Sequence, residues 1–277
     1  MPNTIQTFRE LHKAGCFVLP NPWDAGSAVY LYHLGFKALA TTSSGFAFSR
    51  GLPDDIRAVP RDVVLTHFRE IVQATPLPVN ADFQNGHADE PERVAENVGL
   101  CVATGVAGLS IEDSVVNESK GLYDFELAVE RVKAARRAID QSGVPVVLTA
   151  RCEAWLVGDS DPFATSIKRL TAYAEAGADC LYAPGVVDPS QIATIVKAVS
   201  PKPVNVLAHR ADPNLTLAKL TDLGVRRISV GSALARVAWG AFIRAAKEIA
   251  SEGTFGSFSD AASGVELNNL FRERQKT

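Results

Sequence analysis

Asn80 and Asp82 stand two apart in PVNADFQNGHAD (78–89), where a strand-like apolar opening runs into Asp82, Gln84, Asn85 and His87 before a helical pattern begins at Glu90. Residues two apart on a strand share a face. The same spacing recurs in Ser110, Glu112 and Ser114, in Thr149, Arg151 and Glu153, and in Asn205, Leu207 and His209, while the residues between, such as Ala81, Ile111, Ala150 and Val206, suit contact with helices. Carboxylates gathered from neighbouring strands in a low-dielectric pocket repel unless a cation or protons intervene. Asp82 and Glu112, with no paired His or Cys, favour a hard ion, and Mg2+ keeping several waters fits best. Asp54, in the loop GLPDD, adds outer-sphere charge. Arg151 supplies a bidentate clamp for a substrate carboxylate or phosphonate. The plainer alternative is a salt-bridge network of Asp82, Glu112, Asp113, Arg151 and Glu153 that only closes one end of the fold. The cost of gathering so much buried charge favours function.

Eight β-rich runs must position these side chains: 16–23, 37–43, 78–83, 108–114, 145–154, 180–185, 203–209 and 226–232. Amphipathic stretches alternate with them, many closed by a Gly at the helix-end position. Eight β/α units in a row predict an α/β fold, a (β/α)8 TIM barrel of one domain over 1–277, with its active site at the C-terminal strand ends. An open doubly wound sheet would more often show a Gly-x-Gly-x-x-Gly turn, which this chain lacks. Beyond a long helix at 233–252, a Gly/Ser-rich turn and a short helix carry Phe255, Phe258, Leu267, Leu270 and Phe271. They are expected to pack on a neighbour or the barrel base, and a homo-oligomer follows.

The net charge of −3 and the lack of a Lys/Arg run argue against nucleic acid or an anionic membrane as partner, leaving small molecules. Residues 1–15 mix acids and bases, unlike a signal segment, and no long apolar run follows, so a cytoplasmic protein is expected. Cys16, Cys101, Cys152 and Cys180 form no C-x-x-C pair and read as buried thiols.

Several loop features are weaker signals. Backbone N–H groups of Ser43, Ser44 and Gly45 could hold a carboxylate or an enolate oxygen. His209 reads as an acid/base or as a capping residue, and His87 as a rim residue. VGSALAR (230–236) has the form of a phosphate-holding turn, and Trp23 and Trp155 could wall the pocket.

Taken in series, NPWDAGSA, SSGF, GLPD, NADFQNGHAD, SIEDS and TARCEAW resemble the isocitrate lyase/phosphoenolpyruvate mutase superfamily over nearly the whole chain. The resemblance implies a (β/α)8 barrel whose C-terminal helices (233–277) are exchanged between subunits, and a homotetramer built as a dimer of dimers. It implies a Mg2+ site for small α-oxo or α-hydroxy carboxylates, where a C–C or P–C bond next to a carboxylate is made or broken. Asp82 then matches the second Asp of the family's Asp-x-Asp metal motif and Glu112 the acid of its Glu-Asp motif. Asp54 matches the acid of the second loop, Arg151 the substrate clamp, Ser44, Gly45 and Phe46 the carboxylate cradle, and Asn205 a substrate-binding Asn.

Three departures bear on the reaction. Asn80 replaces the first motif Asp. The loop SVVNESKGLYDFE lacks the Cys that lyase members use as acid/base, and its Asn117, Glu118, Ser119 and Lys120 reproduce the mutase gating loop only loosely. Pro184 stands where mutases tend to carry a His. The reading that results is a Mg2+-dependent lyase, decarboxylase or hydrolase of an oxaloacetate-like substrate. P–C chemistry on phosphonopyruvate is the alternative, and an inactive keto-acid-binding barrel a second.

Overall fold

Short aliphatic runs cross the molecule as eight parallel strands: β1 (Phe17–Leu19), β2 (Leu39–Ala40), β3 (Val79–Asp82), β4 (Gly108–Glu112), β5 (Val147–Arg151), β6 (Cys180–Tyr182), β7 (Val204–Leu207) and β8 (Arg227–Ser229). They come from a computed structural model that describes the backbone of residues 3–115 and 121–274. The strands pair in the order β1-β8-β7-β6-β5-β4-β3-β2. Between β1 and β2 the wall is joined by the Ala40 N–H bonded to the Pro20 carbonyl at 3.0 Å. Asn21 reinforces that seam, donating to the Thr41 carbonyl at 2.8 Å. The result is the expected (β/α)8 barrel, nearly closed.

Side-chain alternation divides the strands as the sequence predicts. Leu109, Ile111, Leu148, Ala150, Leu181, Val206 and Ile228 are buried in the large core between strands and helices. The opposite parity lines the interior. At the N-terminal end of the barrel Phe8 is fully buried against Phe17, Leu19, Ala38, Ala40, Val147 and Cys180. Phe8 belongs to α1 (Thr4–Leu11), a helix that the eight-unit pattern does not contain and that plugs the barrel floor. Gly108 makes room for it, since a Cβ there would lie 2.7 Å from the Phe8 ring and 2.8 Å from Asn80 Oδ1.

The outer ring comprises α2 (Ala25–His33), α4 (Arg61–Ala74), α5 (Pro91–Val102), α6 (Phe125–Ser142), α8 (Pro162–Glu175), α9 (Pro189–Ala198) and α10 (Leu217–Asp222). Two short helices, α3 (Ser43–Ser49) and α7 (Ala154–Val157), are inserted directly after β2 and β5. Asp24, Thr42, Asp161, Asp188 and Thr216 cap helices by accepting backbone N–H groups of the first turn, which fixes where each loop ends.

α11 (Ala233–Glu252) covers the span predicted for the long helix, yet only Ala235 is buried along it. Val237 is 71% exposed and Phe242 61%, an apolar face left uncovered by the described residues. α12 (Gly264–Arg274) returns to the outer helix α2, where the Phe271 ring approaches Gly26, and not to the barrel base. Cys101, Cys152 and Cys180 are buried free thiols, whereas Cys16 is only half-buried. Among the described residues no helix is long and apolar enough to cross a membrane.

Candidate active site

β4 and β5 end level with one another, so Glu112 pairs in register with Arg151. Arg151 then gathers carboxylates from the ends of β3 and β4 and from the turn after β5: Nη1 donates to Asp82 Oδ1 at 2.8 Å, Nη2 lies 3.1 Å from Glu112 Oε2, and Nε donates to Glu153 Oε1 at 2.9 Å. Its guanidinium also rides over the Tyr182 ring, 5.0 Å from the centroid. A guanidinium has five N–H donors. Among the described residues Nε and Nη1 each donate once and Nη2 makes an ion-pair contact, so at least one N–H on each terminal nitrogen is left for a ligand.

Asp113 does not join this group. It faces the outer helices, accepting from Tyr173 Oη at 2.5 Å, Arg169 Nη1 at 3.2 Å and the Glu153 N–H at 2.8 Å. The single salt-bridge network of the plainer alternative is therefore two networks. The outer one fixes the backbone that carries Glu153 to Arg151.

On the β2 side, Thr42 caps α3 by accepting the Gly45 N–H at 3.2 Å, and the Thr42 carbonyl accepts the Phe46 N–H at 3.0 Å. Those two donors are occupied, and the Phe46 ring stacks on His67 at 3.8 Å. The backbone donor that reaches a carboxylate is Ser43, whose N–H meets Asp82 Oδ2 at 2.9 Å. Of the expected cradle Ser44–Phe46, only Ser44 lines the cavity, beside Ser43. Thr41 Oγ1 accepts the Asp82 N–H at 2.9 Å, so the metal-motif Asp is fixed at both its backbone and its side chain.

Crowding shows in the acidities. Burial, then the repulsion of Asp82, pushes Asp54 up to about 6 against a hydrogen bond from Ser43 and the pull of Arg151. Burial likewise raises Glu112 to about 8, with Glu153, Asp82 and Asp54 adding repulsion that Arg151 only partly offsets. Three carboxylates thus share one guanidinium, and a fourth, Asp54, lies within its field.

A cavity of about 240 Å3 opens over this group and runs down the barrel, lined by Asp82, Arg151, Tyr182, Asn205, Arg227 and His209 among others. Asn205 is nevertheless engaged: its Oδ1 accepts from Arg227 Nε at 2.8 Å and its Nδ2 donates to Ser229 Oγ at 2.9 Å. A substrate would have to share it with that network. Trp155 packs on Gly185 and its neighbour Leu156 lines the cavity instead, while Trp23 packs on Gly45. The turn after β8 is not free for phosphate, because Asn21 Oδ1 accepts both the Val230 and Gly231 N–H groups at 2.9 Å.

Beyond Asp82, where β3 ends, Gln84 still lines a small pocket with Asp54 and Asp82, and the loop then turns away from the site. Gln84 and His87 adopt φ of 50° and 53°, a left-handed conformation that the surroundings must impose. Asn85 donates to Tyr123 Oη at 2.9 Å and accepts the His87 N–H at 3.0 Å. Buried Arg131 donates to the Ala88 carbonyl at 2.6 Å and to the Asp89 and Asn85 carbonyls, with its guanidinium 4.1 Å above the Tyr123 ring. Asn85 and His87 are loop architecture. The gating-loop residues Asn117, Glu118, Ser119 and Lys120 lie outside the described residues.

Among the described residues, no three His, Cys, Asp or Glu side chains converge as a finished metal cage. The donor chemistry still suits a hard cation that keeps its waters: Asp54, Asp82 and Glu112 offer only oxygen, and their repulsion is what a divalent ion relieves. Buried Asn80 Oδ1 has no hydrogen-bond partner, in the place where the resemblance expects a further carboxylate.

Eight parallel strands with charged side chains gathered at their C-terminal ends define a TIM barrel with a polar cavity where the active sites of such barrels lie. The chain belongs to the phosphoenolpyruvate phosphomutase family, whose model matches residues 8–250, within the isocitrate lyase/phosphoenolpyruvate mutase superfamily. It is 37% identical to an uncharacterised protein of Mycobacterium tuberculosis over 82% of each chain, and 31% identical to the 2-methylisocitrate lyase of Escherichia coli over 73% of this chain and 69% of that one. A solved structure described as a putative lyase/mutase from Burkholderia cenocepacia J2315 is 46% identical, with a TM-score of 0.92 over 97% of this chain and 95% of that one. Oxaloacetate acetylhydrolase in complex with its product oxalate is 25% identical, with a TM-score of 0.87 over 99% and 96%.

Proposed function

We propose that this protein is a Mg2+-dependent enzyme that breaks a C–C bond next to the carbonyl of a small α-oxo or α-hydroxy carboxylate, oxaloacetate or a close analogue. The observation that carries the reading is Arg151: held by three carboxylates at the cavity wall, it keeps one N–H on each terminal nitrogen for a substrate carboxylate. Asp82 and Glu112 would hold the metal and its waters, with Asp54 outside them. Mg2+, when bound, supplies the positive charge against which an enolate develops. The protein's own part is to orient the carboxylate on Arg151, fix Asp82 through Ser43 and Thr41, and keep bulk water out of a narrow interior.

Likeness to an oxaloacetate acetylhydrolase supports an oxaloacetate-like substrate. The absence of Cys from SVVNESKGLYDFE weighs against isocitrate-type cleavage. Cleavage of a P–C bond is the second reading, favoured by the matching family model. The unpartnered apolar face of α11 supports a homo-oligomer in which this helix docks on a neighbouring subunit.

Product NMR on oxaloacetate, phosphonopyruvate, malate derivatives and isocitrates, with Mg2+ and with EDTA, tests the reading. Metal-dependent turnover of an oxaloacetate-like acid is expected. Binding of oxalate or a keto acid with no turnover across the panel would leave a binding protein in its place.

A further inference from the structure

Arg227 is the second guanidinium of the cavity and is built in the opposite sense to Arg151. It is 2% exposed, and its partners are Asn205 Oδ1 at 2.8 Å, Thr149 Oγ1 at 3.0 Å and His12 Nε2 at 3.3 Å. His12 Nδ1 lies 2.7 Å from the Phe8 carbonyl, which can only accept, so Nδ1 carries the proton and Nε2 presents a lone pair to Arg227. Burial and the charge of Arg227 push His12 down to about 3, which keeps it neutral. All three partners are therefore uncharged, and among the described residues Arg227 makes no ion pair.

A buried cation without a counter-charge is costly. The cavity is polarised as a result: Asp54 and Asp82 line its β2–β3 side, whereas Arg227, His209 and Arg236 line its β7–β8 side. Asn80, which also faces the cavity, leaves a buried Oδ1 unpartnered, and being neutral it does not cancel the charge of Arg227. Nη1 and Nη2 of Arg227 each retain one N–H.

The geometry points to an anion subsite at the floor of the cavity, in which Arg227 receives the substrate carboxylate remote from the bond that breaks. This assignment rests on the proposed α-oxo acid site and narrows the substrate class to di-anions. Arg151 and the metal hold one end of the molecule, and Arg227 selects the other. Asn205 and Thr149 act through Arg227, holding its guanidinium across the barrel.

Two measurements test it. Calorimetry with Mg2+ compares oxaloacetate with 2-oxobutanoate, which has one carboxylate. Wild type is expected to prefer the di-acid by about tenfold or more, the scale of one charge-assisted hydrogen bond. Arg227→Gln is expected to abolish that preference while leaving 2-oxobutanoate affinity within about twofold, and Arg227→Lys to retain most of it. Thermal unfolding of wild type in EDTA, with malonate against acetate at equal ionic strength, reads the subsite without metal, turnover or a variant that must fold. Malonate alone is expected to raise the melting temperature. If malonate stabilises wild type but neither oxo acid binds, the oxo-acid reading fails and the subsite stands. Equal effects of malonate and acetate, or a di-acid preference intact in Arg227→Gln, overturns the subsite.

Discussion

Arg151 Nη1 meets Asp82 Oδ1 at 2.8 Å while the other oxygen of the same carboxylate takes the Ser43 N–H at 2.9 Å. One Asp thereby ties the clamp on β5 to the start of α3 after β2, across the mouth of the cavity. A metal drawn to Asp82 is held by a group already oriented from two sides.

Replacing Arg151 by Met would leave Asp82, Glu112 and Glu153 without their cation. Removing one partner of a buried ion pair costs about 3–5 kcal/mol. Urea unfolding should show a loss of that order at pH 8, and a smaller one at pH 5, where the carboxyls take up protons. A loss equal at both pH values would sink the account of Arg151 as their counter-charge.

The raised pKa values of Asp54 and Glu112 set a pH dependence. A carboxyl whose folded pKa lies above its unfolded value contributes stability that is complete below the unfolded value and lost as pH rises through the folded one. For Asp54, raised from 3.8 to about 6, and Glu112, raised from 4.5 to about 8, the metal-free protein should lose stability between about pH 4 and 8. Because Mg2+ competes with protons for these oxygens, its affinity should rise over the same window. Chemical denaturation in EDTA and in Mg2+ checks both slopes, and a flat metal-free profile would count against the crowding.

Asp82→Ala removes the carboxylate that both Ser43 and Arg151 address. Mg2+-dependent binding of oxalate, followed by calorimetry, should disappear, while the protein stays folded by circular dichroism. Retained metal-dependent binding would show that the ion sits elsewhere.

Arg131→Ala takes away the donor shared by the Asn85, Ala88 and Asp89 carbonyls. Each buried carbonyl left unpaired costs about 1–3 kcal/mol. Hydrogen exchange should accelerate first over residues 84–89, and protection unchanged there would refute the anchoring role.

Phe242, 61% exposed beside Trp239 on α11, is a probe of assembly. Light scattering should find wild type oligomeric at micromolar concentration and Phe242→Glu shifted toward smaller species. A monomeric wild type would end the proposal that α11 docks on a neighbour.

The barrel, its eight strands and the meeting of Asp82, Glu112 and Arg151 are legible in the sequence because two-residue alternation directly encodes which way a strand side chain points. That the Gly45 N–H is already taken is not legible, because the pattern does not reveal that Thr42 caps a short helix. Arg227 and Arg131 escape for a different reason. Long charged side chains are seldom buried, so an Arg in RRISV or in AVERVKA reads as surface until tertiary packing shows where it ends. Asn205 is read as free for substrate for the same reason, since its partner Arg227 is invisible in its own strand.

The seam between β1 and β2 has a consequence for how the wall yields. Elsewhere each strand is stitched to the next by a parallel ladder, but here the Ala40–Pro20 bond and the amide of Asn21 do the joining. Asn21 also grips the turn after β8. Asn21 and that one backbone bond therefore serve as the clasp of a belt: were they released, the barrel would unroll from that line, with all eight strands, from β1 on β8 to β2 on β3, still joined as one sheet.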